Sequence, residues 1–175
     1  MGSEYLRDST APGAKNAAGV PHQDVTGLTY KDGSFALIGS FEVLEHVPDY
    51  RAALAEFFRV LAPGGRLLLT VPFFLEHADT ITRAAVNGDG TVTHFLPPEI
   101  HGDPLDAGGA LCFYHFGWDF MAALRAAGFA DPHISLFWEP RFGYLGGHQF
   151  AIQARKPKEQ KFFGSFFPKK NRLLS

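Results

Sequence analysis

The sequence predicts an α/β domain in which a helix connects two parallel strands, and three consecutive segments support this prediction. Residues Ser34–Phe41 form an almost unbroken apolar run after the turn residues 31–33, as is typical of a strand buried on both faces. A helix is predicted from Pro48 to about Leu61, and Arg66–Val71 is predicted as the next buried strand. Strand, helix and strand with short links indicate a right-handed crossover between parallel strands.

The predicted helix has clear end signals. Asp49 can cap its start, because a carboxylate accepts hydrogen bonds from the unpaired amides of the first turn. Pro63, Gly64 and Gly65 are predicted to form the turn between the helix and the second strand. This turn lies away from the carboxyl ends of the strands, so we do not interpret it as a phosphate-binding loop.

The segment from Phe73 to Gly117 lacks a regular pattern. Within it, Asn87–Gly90 is predicted as a hairpin tip between strands at Thr82–Val86 and Thr91–Phe95. A connection of this length inside a compact domain usually serves function. We therefore expect it to contribute to a site.

The rest of the chain is predicted to complete the domain. A second helix covers Trp118–Ala127, and Gly128 is placed to cap its end. Two closing strands are predicted at His133–Trp138 and Gln149–Arg155, with a glycine-rich turn at Arg141–Gly147 between them. We expect residues 1–155 to form the domain and residues 156–175 to form a basic, aromatic tail.

Composition and charge narrow the possible functions. The one cysteine, Cys112, cannot form an intrachain disulfide, and no signal sequence or membrane-spanning run is evident, so a cytoplasmic location is expected. Residues 155–175 carry seven Lys or Arg and one Glu, which leaves the predicted domain acidic and argues against nucleic-acid binding. The tail's two Phe pairs could contact an anionic membrane surface, although a disordered solubilising end is favoured.

The segment Asp32–Phe73 resembles the type 11 group of class I S-adenosylmethionine-dependent methyltransferases. Three of its motifs occur in the family's order: Asp-Gly-Ser-Phe from residue 32, Glu-Val-Leu-Glu-His-Val-Pro-Asp from residue 42, and Arg-Val-Leu-x-Pro-Gly-Gly from residue 59. The resemblance extends less closely from about Glu4 to Arg155. It implies a Rossmann-like sheet, mostly parallel, with a C-terminal antiparallel hairpin.

The family's first strand and helix, with their glycine-rich loop, would precede Glu4, where only three residues stand. The resemblance therefore implies a partial sheet in which the first strand and helix are missing. Such a loop normally supplies backbone amides to the cofactor, so we expect weakened cofactor binding. Loss of the first strand would also expose the edge of a central strand, which predicts a homo-oligomer formed through that edge or a rearranged sheet.

The resemblance also implies that S-adenosylmethionine is the cofactor and lies across the carboxyl ends of the strands. Glu4 would accept hydrogen bonds from both ribose hydroxyls, since a carboxylate offers two acceptor oxygens. Asp24 would lie near the adenine amine. The implied cofactor-binding residues are Glu4, Asp24, Val25, Thr26, Ser40 and Phe41.

Glu42, Glu45 and His46 would face the methyl-transfer cleft. Glu45 or His46 could act as a general base, because histidine titrates near neutral pH; alternatively, both residues only begin a short helix. His115 is a further candidate, in a substrate-facing lid with His101, Asp103 and Tyr114. Histidines and carboxylates are frequent between residues 76 and 115, but their spacings fit no helix-based ligand pair, so no metal site is expected.

Three functions remain open. The first is methyl transfer from S-adenosylmethionine to a small-molecule oxygen, nitrogen or carbon nucleophile. The second is a non-catalytic remnant of the methyltransferase fold that serves as a binding or oligomerisation module. A nucleotide-binding α/β protein of another class is disfavoured, because no phosphate-type loop is present. The acceptor cannot be identified from the fold.

Overall fold

The computed structural model describes residues 2–6, 10–103, 106–143 and 149–158. Its strands are β1 (Phe35–Phe41), β2 (Leu61–Thr70), β3 (Ile81–Thr82), β4 (Ala84–Val86), β5 (Val92–His94), β6 (Ile100–Asp103), β7 (Asp106–Leu111), β8 (Tyr114–His115), β9 (Ala130–Phe137) and β10 (Gln149–Arg155). The α-helices are α1 (Tyr50–Val60) and α2 (Asp119–Ala126), and single 3-10 turns occur at Leu44–His46 and Pro140–Phe142.

The central sheet has the strand order β1-β2-β10-β9. β1 pairs with β2 in parallel, which confirms the predicted crossover through α1. β10 pairs antiparallel with both β2 and β9, which confirms the C-terminal hairpin. The parallel character predicted for the sheet is confirmed only in part: among the described residues the β1–β2 pairing is parallel, and the closing hairpin makes the other two pairings of the four-stranded sheet antiparallel.

Both helices pack against one face of this sheet. Asp49 caps α1 as predicted, since its Oδ1 accepts from the amide of Ala52 at 3.0 Å. The two helices and the inward residues of the sheet form one continuous apolar core, which explains why both helices show an amphipathic pattern. Its fully buried large side chains include Tyr50, Leu54, Leu67, Leu69, Phe116, Phe120, Leu124 and Ile152.

The Pro-Gly-Gly segment lies inside β2, not between α1 and β2 as predicted. Phe35 pairs with Leu61 and Leu37 pairs with Arg66, so residues 62–65 bulge out opposite Ala36. Gly64 has φ = +81°, a conformation that glycine adopts without strain. The strand therefore begins five residues earlier than its apolar pattern indicates.

Residues 73–117 form three short antiparallel ribbons, β3–β8, β4–β5 and β6–β7. The hairpin predicted around Asn87–Gly90 is confirmed between β4 and β5. The segment folds back over the carboxyl ends of β1 and β2: the amide of Phe113 donates to Glu45 O at 2.7 Å, and that of Phe116 donates to Pro72 O at 2.8 Å. This position is where a site is expected in an open α/β sheet.

Ordered contacts continue past Arg155. Lys156 exchanges backbone hydrogen bonds with Gly64 and Gly65, and its Nζ donates to the carbonyl oxygens of Phe58 and Leu61 at 2.8 Å each. The division at residue 155 remains a prediction, and residues 159–175, which include the Phe pairs of the predicted tail, lie outside the described residues. No helix in the described part is long and apolar enough to cross a membrane.

Candidate active site

The chain reverses direction at the carboxyl end of β1. Glu42 adopts φ = +51°, a left-handed conformation that is costly for a residue with a side chain, while its amide donates to Thr70 O at 3.1 Å. The 3-10 turn Leu44–His46 follows immediately and buries Leu44 completely. This reversal carries the side chain of Glu45 back into the protein interior.

Glu45 is a fully buried acid. Its exposed fraction is 0%, and neither carboxylate oxygen has a hydrogen-bond partner among the described residues. Burial raises its pKa to about 8; its own backbone opposes this shift, and the neighbouring Glu42 carboxylate adds to it. Glu45 is therefore mainly protonated at neutral pH.

His46 is held in one orientation by a carbonyl group. Its Nδ1 lies 2.9 Å from Leu111 O, and because a carbonyl only accepts, Nδ1 is assigned the proton. In the neutral ring Nε2 then carries the lone pair, 3.7 Å from Glu45 Oε1. Burial lowers the pKa of His46, although the Leu111 carbonyl opposes the shift. The ring is therefore neutral near pH 7.

His101 completes this cluster from β6. Its Nδ1 lies 3.9 Å from Glu45 Oε1, and its ring meets that of His46 edge to face with centroids 4.9 Å apart. Its Nε2 lies 3.0 Å from Glu99 Oε1. Sequence reasoning placed His101 in a lid and missed its proximity to Glu45, because 55 intervening residues leave no periodic signal.

His115, a predicted catalytic residue, contacts Glu99 and not the Glu45 cluster, which His101 joins instead. The Nε2 of His115 lies 3.1 Å from Glu99 Oε2, and the His115 ring stacks on Phe74 with ring centroids 4.7 Å apart. Arg83 also reaches Glu99 Oε2 at 3.1 Å. Glu99 thus contacts both His115 and His101, and His115 is linked to the Glu45 cluster only through Glu99 and His101 among these contacts.

The predicted cofactor residues near the N-terminus adjoin one another along the backbone. The amide of Gln23 donates to Glu4 O at 2.9 Å, which places Glu4 beside the segment leading to Asp24. Asp24 Oδ1 accepts from the amide and the hydroxyl of Thr26 at 2.8 and 2.7 Å. Val25 packs against the apolar core.

The other two predicted cofactor residues end β1. Ser40 is buried, and its Oγ has no hydrogen-bond partner in the described part of the chain. Phe41 is 57% exposed. A buried hydroxyl normally finds a partner, so the unsatisfied Ser40 Oγ indicates that a ligand or solvent group completes this end of the strand.

Residues 4–69 match the family described as "Methyltransferase domain". Among curated proteins, the chain is 32% identical over 91 residues to methyltransferase GfsG of Streptomyces halstedii, covering 51% of this chain and 33% of GfsG. It is 41% identical over 46 residues to norajmaline N-methyltransferase of Rauvolfia serpentina, covering 26% and 16%. The matches thus span a third or less of these relatives.

One chain of the Haloferax volcanii complex that contains the Trm112 methyltransferase activator is similar in fold. The two chains are 13% identical with a TM-score of 0.51, and the match covers 83% of this chain and 65% of that chain. At this identity the similarity concerns the fold alone.

Proposed function

Since the chain carries a domain of the class I S-adenosylmethionine-dependent methyltransferase family, we propose that it transfers a methyl group from S-adenosylmethionine to a small-molecule acceptor. The main support is the buried Glu45 beside His46, directly after the carboxyl end of β1. Ligands of open α/β sheets bind outside the carboxyl ends of the strands. This pair is therefore assigned to the acceptor side of the reaction.

The cofactor residues form two groups in this proposal. Glu4 accepts from the ribose hydroxyls, while Asp24 Oδ2 accepts from the adenine amine, with Val25 and Thr26 alongside the ring. Ser40 and Phe41 lie beneath the methionine part, and the unsatisfied Ser40 Oγ supports a polar ligand there. Bound there, S-adenosylmethionine supplies a methyl group on a cationic sulfur, which keeps the bonding electron pair when an acceptor heteroatom attacks the carbon.

His46 is the base in this proposal. Its Nε2 carries a lone pair because Nδ1 donates to Leu111 O, and the lowered pKa keeps the ring neutral at physiological pH. Glu45, with a pKa of about 8, retains its proton under the same conditions. His46 Nε2 therefore takes the proton that an acceptor N–H or O–H loses, and Leu111 O orients the ring.

A product screen tests this proposal. The full chain is incubated with S-adenosylmethionine bearing a deuterated methyl group and a panel of phenols, amines and carboxylic acids, and products are identified by mass spectrometry. His46→Gln should lower the rate by about 10²- to 10⁴-fold. His94→Gln, an exposed histidine on β5, is the matched control. Equal rates for the two variants would contradict the role of His46.

A second candidate function, a binding or oligomerisation module, is supported by the edge of β1. Among the described residues β1 pairs only with β2, so its other edge presents unpaired backbone groups. Leu37 is 59% exposed on this strand. Sedimentation of wild type against Leu37→Lys tests self-association, with Leu75→Lys, an exposed loop residue, as control. Equal masses for all three proteins would contradict this function.

The charge of the chain and its single cysteine support a small-molecule partner and a cytoplasmic location. The acceptor is a small molecule and not a nucleic acid, which accords with the acidic charge of the chain before residue 155. A reducing cytoplasmic setting suits the single thiol of Cys112, which is buried. The relatives named above include an N-methyltransferase, and an acceptor nitrogen or oxygen is proposed for this chain.

A further inference from the structure

We propose that Glu45, His46 and His101 form a binding site for a divalent transition-metal cation, and that Zn²⁺ is the ion best suited to these ligands. One ligand atom from each residue lies within 4.8 Å of the other two. Two imidazoles and one carboxylate are a ligand set that zinc uses where it keeps a position open for water or substrate. The site goes beyond methyl transfer, because it adds a cation to the acceptor side.

Each imidazole presents one ring nitrogen to Glu45 and engages the other elsewhere. His46 donates its Nδ1 proton to Leu111 O at 2.9 Å, which leaves Nε2 facing the carboxylate. His101 donates its Nε2 proton to Glu99 Oε1 at 3.0 Å, which leaves Nδ1 facing it. Metal-binding histidines typically donate their second ring proton to a backbone carbonyl or a carboxylate, and one partner of each kind is present here.

Glu45 provides an independent argument for a ligand. Its side chain is 0% exposed, and both oxygens lack a hydrogen-bond partner among the described residues. Burying a carboxyl group without a partner is unfavourable, so such groups are normally paired or coordinate a metal. A cation placed between Glu45 and the two imidazoles would satisfy this group.

The distances allow coordination after a small adjustment. Glu45 Oε1 lies 3.7 Å from His46 Nε2 and 3.9 Å from His101 Nδ1. Ligand atoms around tetrahedral Zn²⁺, with bonds of about 2.0–2.2 Å, are separated by roughly 3.3–3.5 Å. Glu45 Oε1 must therefore approach each nitrogen by about half an ångström or less, and the two nitrogens, which lie within 4.8 Å of each other, must close to the same separation. His46 and His101 are 19% and 30% exposed, which leaves a solvent-facing side for a fourth ligand.

A second group, Glu99, Cys112 and His115, also brings ligand atoms together, but its atoms are already engaged. Glu99 contacts His101, His115 and Arg83. The thiol of Cys112 donates to Tyr114 O at 3.3 Å. We therefore assign the cation to the Glu45 cluster and assign Glu99 to the orientation of His101.

Equilibrium dialysis tests the site directly. The full chain is stripped with a chelator, dialysed against Zn²⁺, and its bound zinc is measured. The expected result is one Zn²⁺ per chain, with at least 10-fold weaker binding in His101→Gln and Glu45→Gln. His94→Gln should bind as wild type does. Equal zinc affinity in His101→Gln and His94→Gln, or no bound zinc in wild type, would overturn the proposal.

A second measurement separates loss of a ligand from loss of the fold. Co²⁺ replaces Zn²⁺ as the probe, and its visible absorption reports coordination while circular dichroism reports folding. Folded His101→Gln is expected to lose the wild-type cobalt band; retention of that band would also overturn the site. If Glu45→Gln does not fold, His101→Gln still tests the metal site, because His101 lies on the partly exposed strand β6.

A bound cation would occupy the Nε2 lone pair of His46, so in the metal-bound protein the cation, and not His46, would favour deprotonation of the acceptor by polarising its oxygen. This consequence rests on the proposed methyl transfer. The two proposals fail separately. Zinc binding without methyl transfer on any acceptor would leave the metal site standing and count against the proposed reaction. Methyl transfer that persists in a chain shown to bind no zinc would reject the metal site alone.

Discussion

His46 Nδ1 lies 2.9 Å from Leu111 O, and this contact joins the turn after β1 to the end of β7, 65 residues further along the chain. The amide of Phe113 donates to Glu45 O at 2.7 Å beside it. The irregular segment between Phe73 and Gly117 therefore fixes both residues of the proposed acceptor site. Changes in this segment should affect the site even where they do not touch a ligand.

Glu45 should make the stability of the protein fall as pH rises. Its pKa is about 8 in the folded state against 4.5 as the ordinary value, so between these limits the folded state binds a proton that the unfolded chain releases. The free energy of unfolding should then decrease with pH, by at most about 1.4 kcal/mol per pH unit. Glu45→Gln should lack this decrease, so its free energy of unfolding should rise relative to that of wild type as the pH increases from 5 to 8.

Urea unfolding at pH 5, 6.5 and 8 with a chelator present measures this effect. Glu76→Gln, which changes an exposed carboxylate, should follow the wild-type pH dependence. If the curves of Glu45→Gln and wild type run parallel across this range, Glu45 is not a buried acid with a raised pKa.

Gly117 should not tolerate a side chain. A Cβ there would lie 2.6 Å from Asp79 O and 2.7 Å from His77 O, both backbone atoms that cannot move aside cheaply. Gly117→Ala should reduce the free energy of unfolding by about 1–3 kcal/mol, as overpacking does elsewhere. Gly88→Ala, where no atom lies within 4 Å, is the control. Similar melting temperatures for the two variants would show that the close approach is absent.

Lys156 should stabilise the end of α1. Its Nζ donates to Phe58 O and Leu61 O at 2.8 Å and lies 4.7 Å from the centre of the Phe58 ring. A cation at a helix C-terminus also interacts favourably with the helix dipole. Lys156→Met should cost about 1–3 kcal/mol in chemical unfolding, whereas Lys31→Met, on an exposed turn, should cost little. If Lys156→Met leaves the free energy of unfolding unchanged, residue 156 belongs to the tail and does not stabilise α1.

Local sequence patterns explain what could be predicted of the fold. The β1–α1–β2 crossover and the β9–β10 hairpin follow from apolar runs, end signals and turn residues, each of which acts over a few positions. The placement of Pro63–Gly65 inside β2 depends on how Phe35 pairs across the sheet. A pairing of that kind is set by tertiary structure and leaves no local signal.

The candidate site was predictable only in part for the same reason. Glu45 and His46 are neighbours in a recognisable motif, so the sequence predicted that both lie at the same site. The burial of Glu45 depends on the left-handed turn at Glu42 and on the ribbons that cover it. The approach of His101, and the more distant place of His115, depend on the path of an irregular segment without periodicity.

The most direct test of the account asks whether the carboxyl end of β1 and the Glu4–Asp24 region bind the cofactor. The ¹⁵N-labelled chain is titrated with S-adenosylhomocysteine and followed by NMR, which detects weak as well as tight binding. The account predicts concerted amide shifts at Glu4, Thr26, Ser40 and Phe41. Unchanged amides at these positions at high ligand concentration, or shifts confined to the Asn87–Gly90 hairpin, would contradict it.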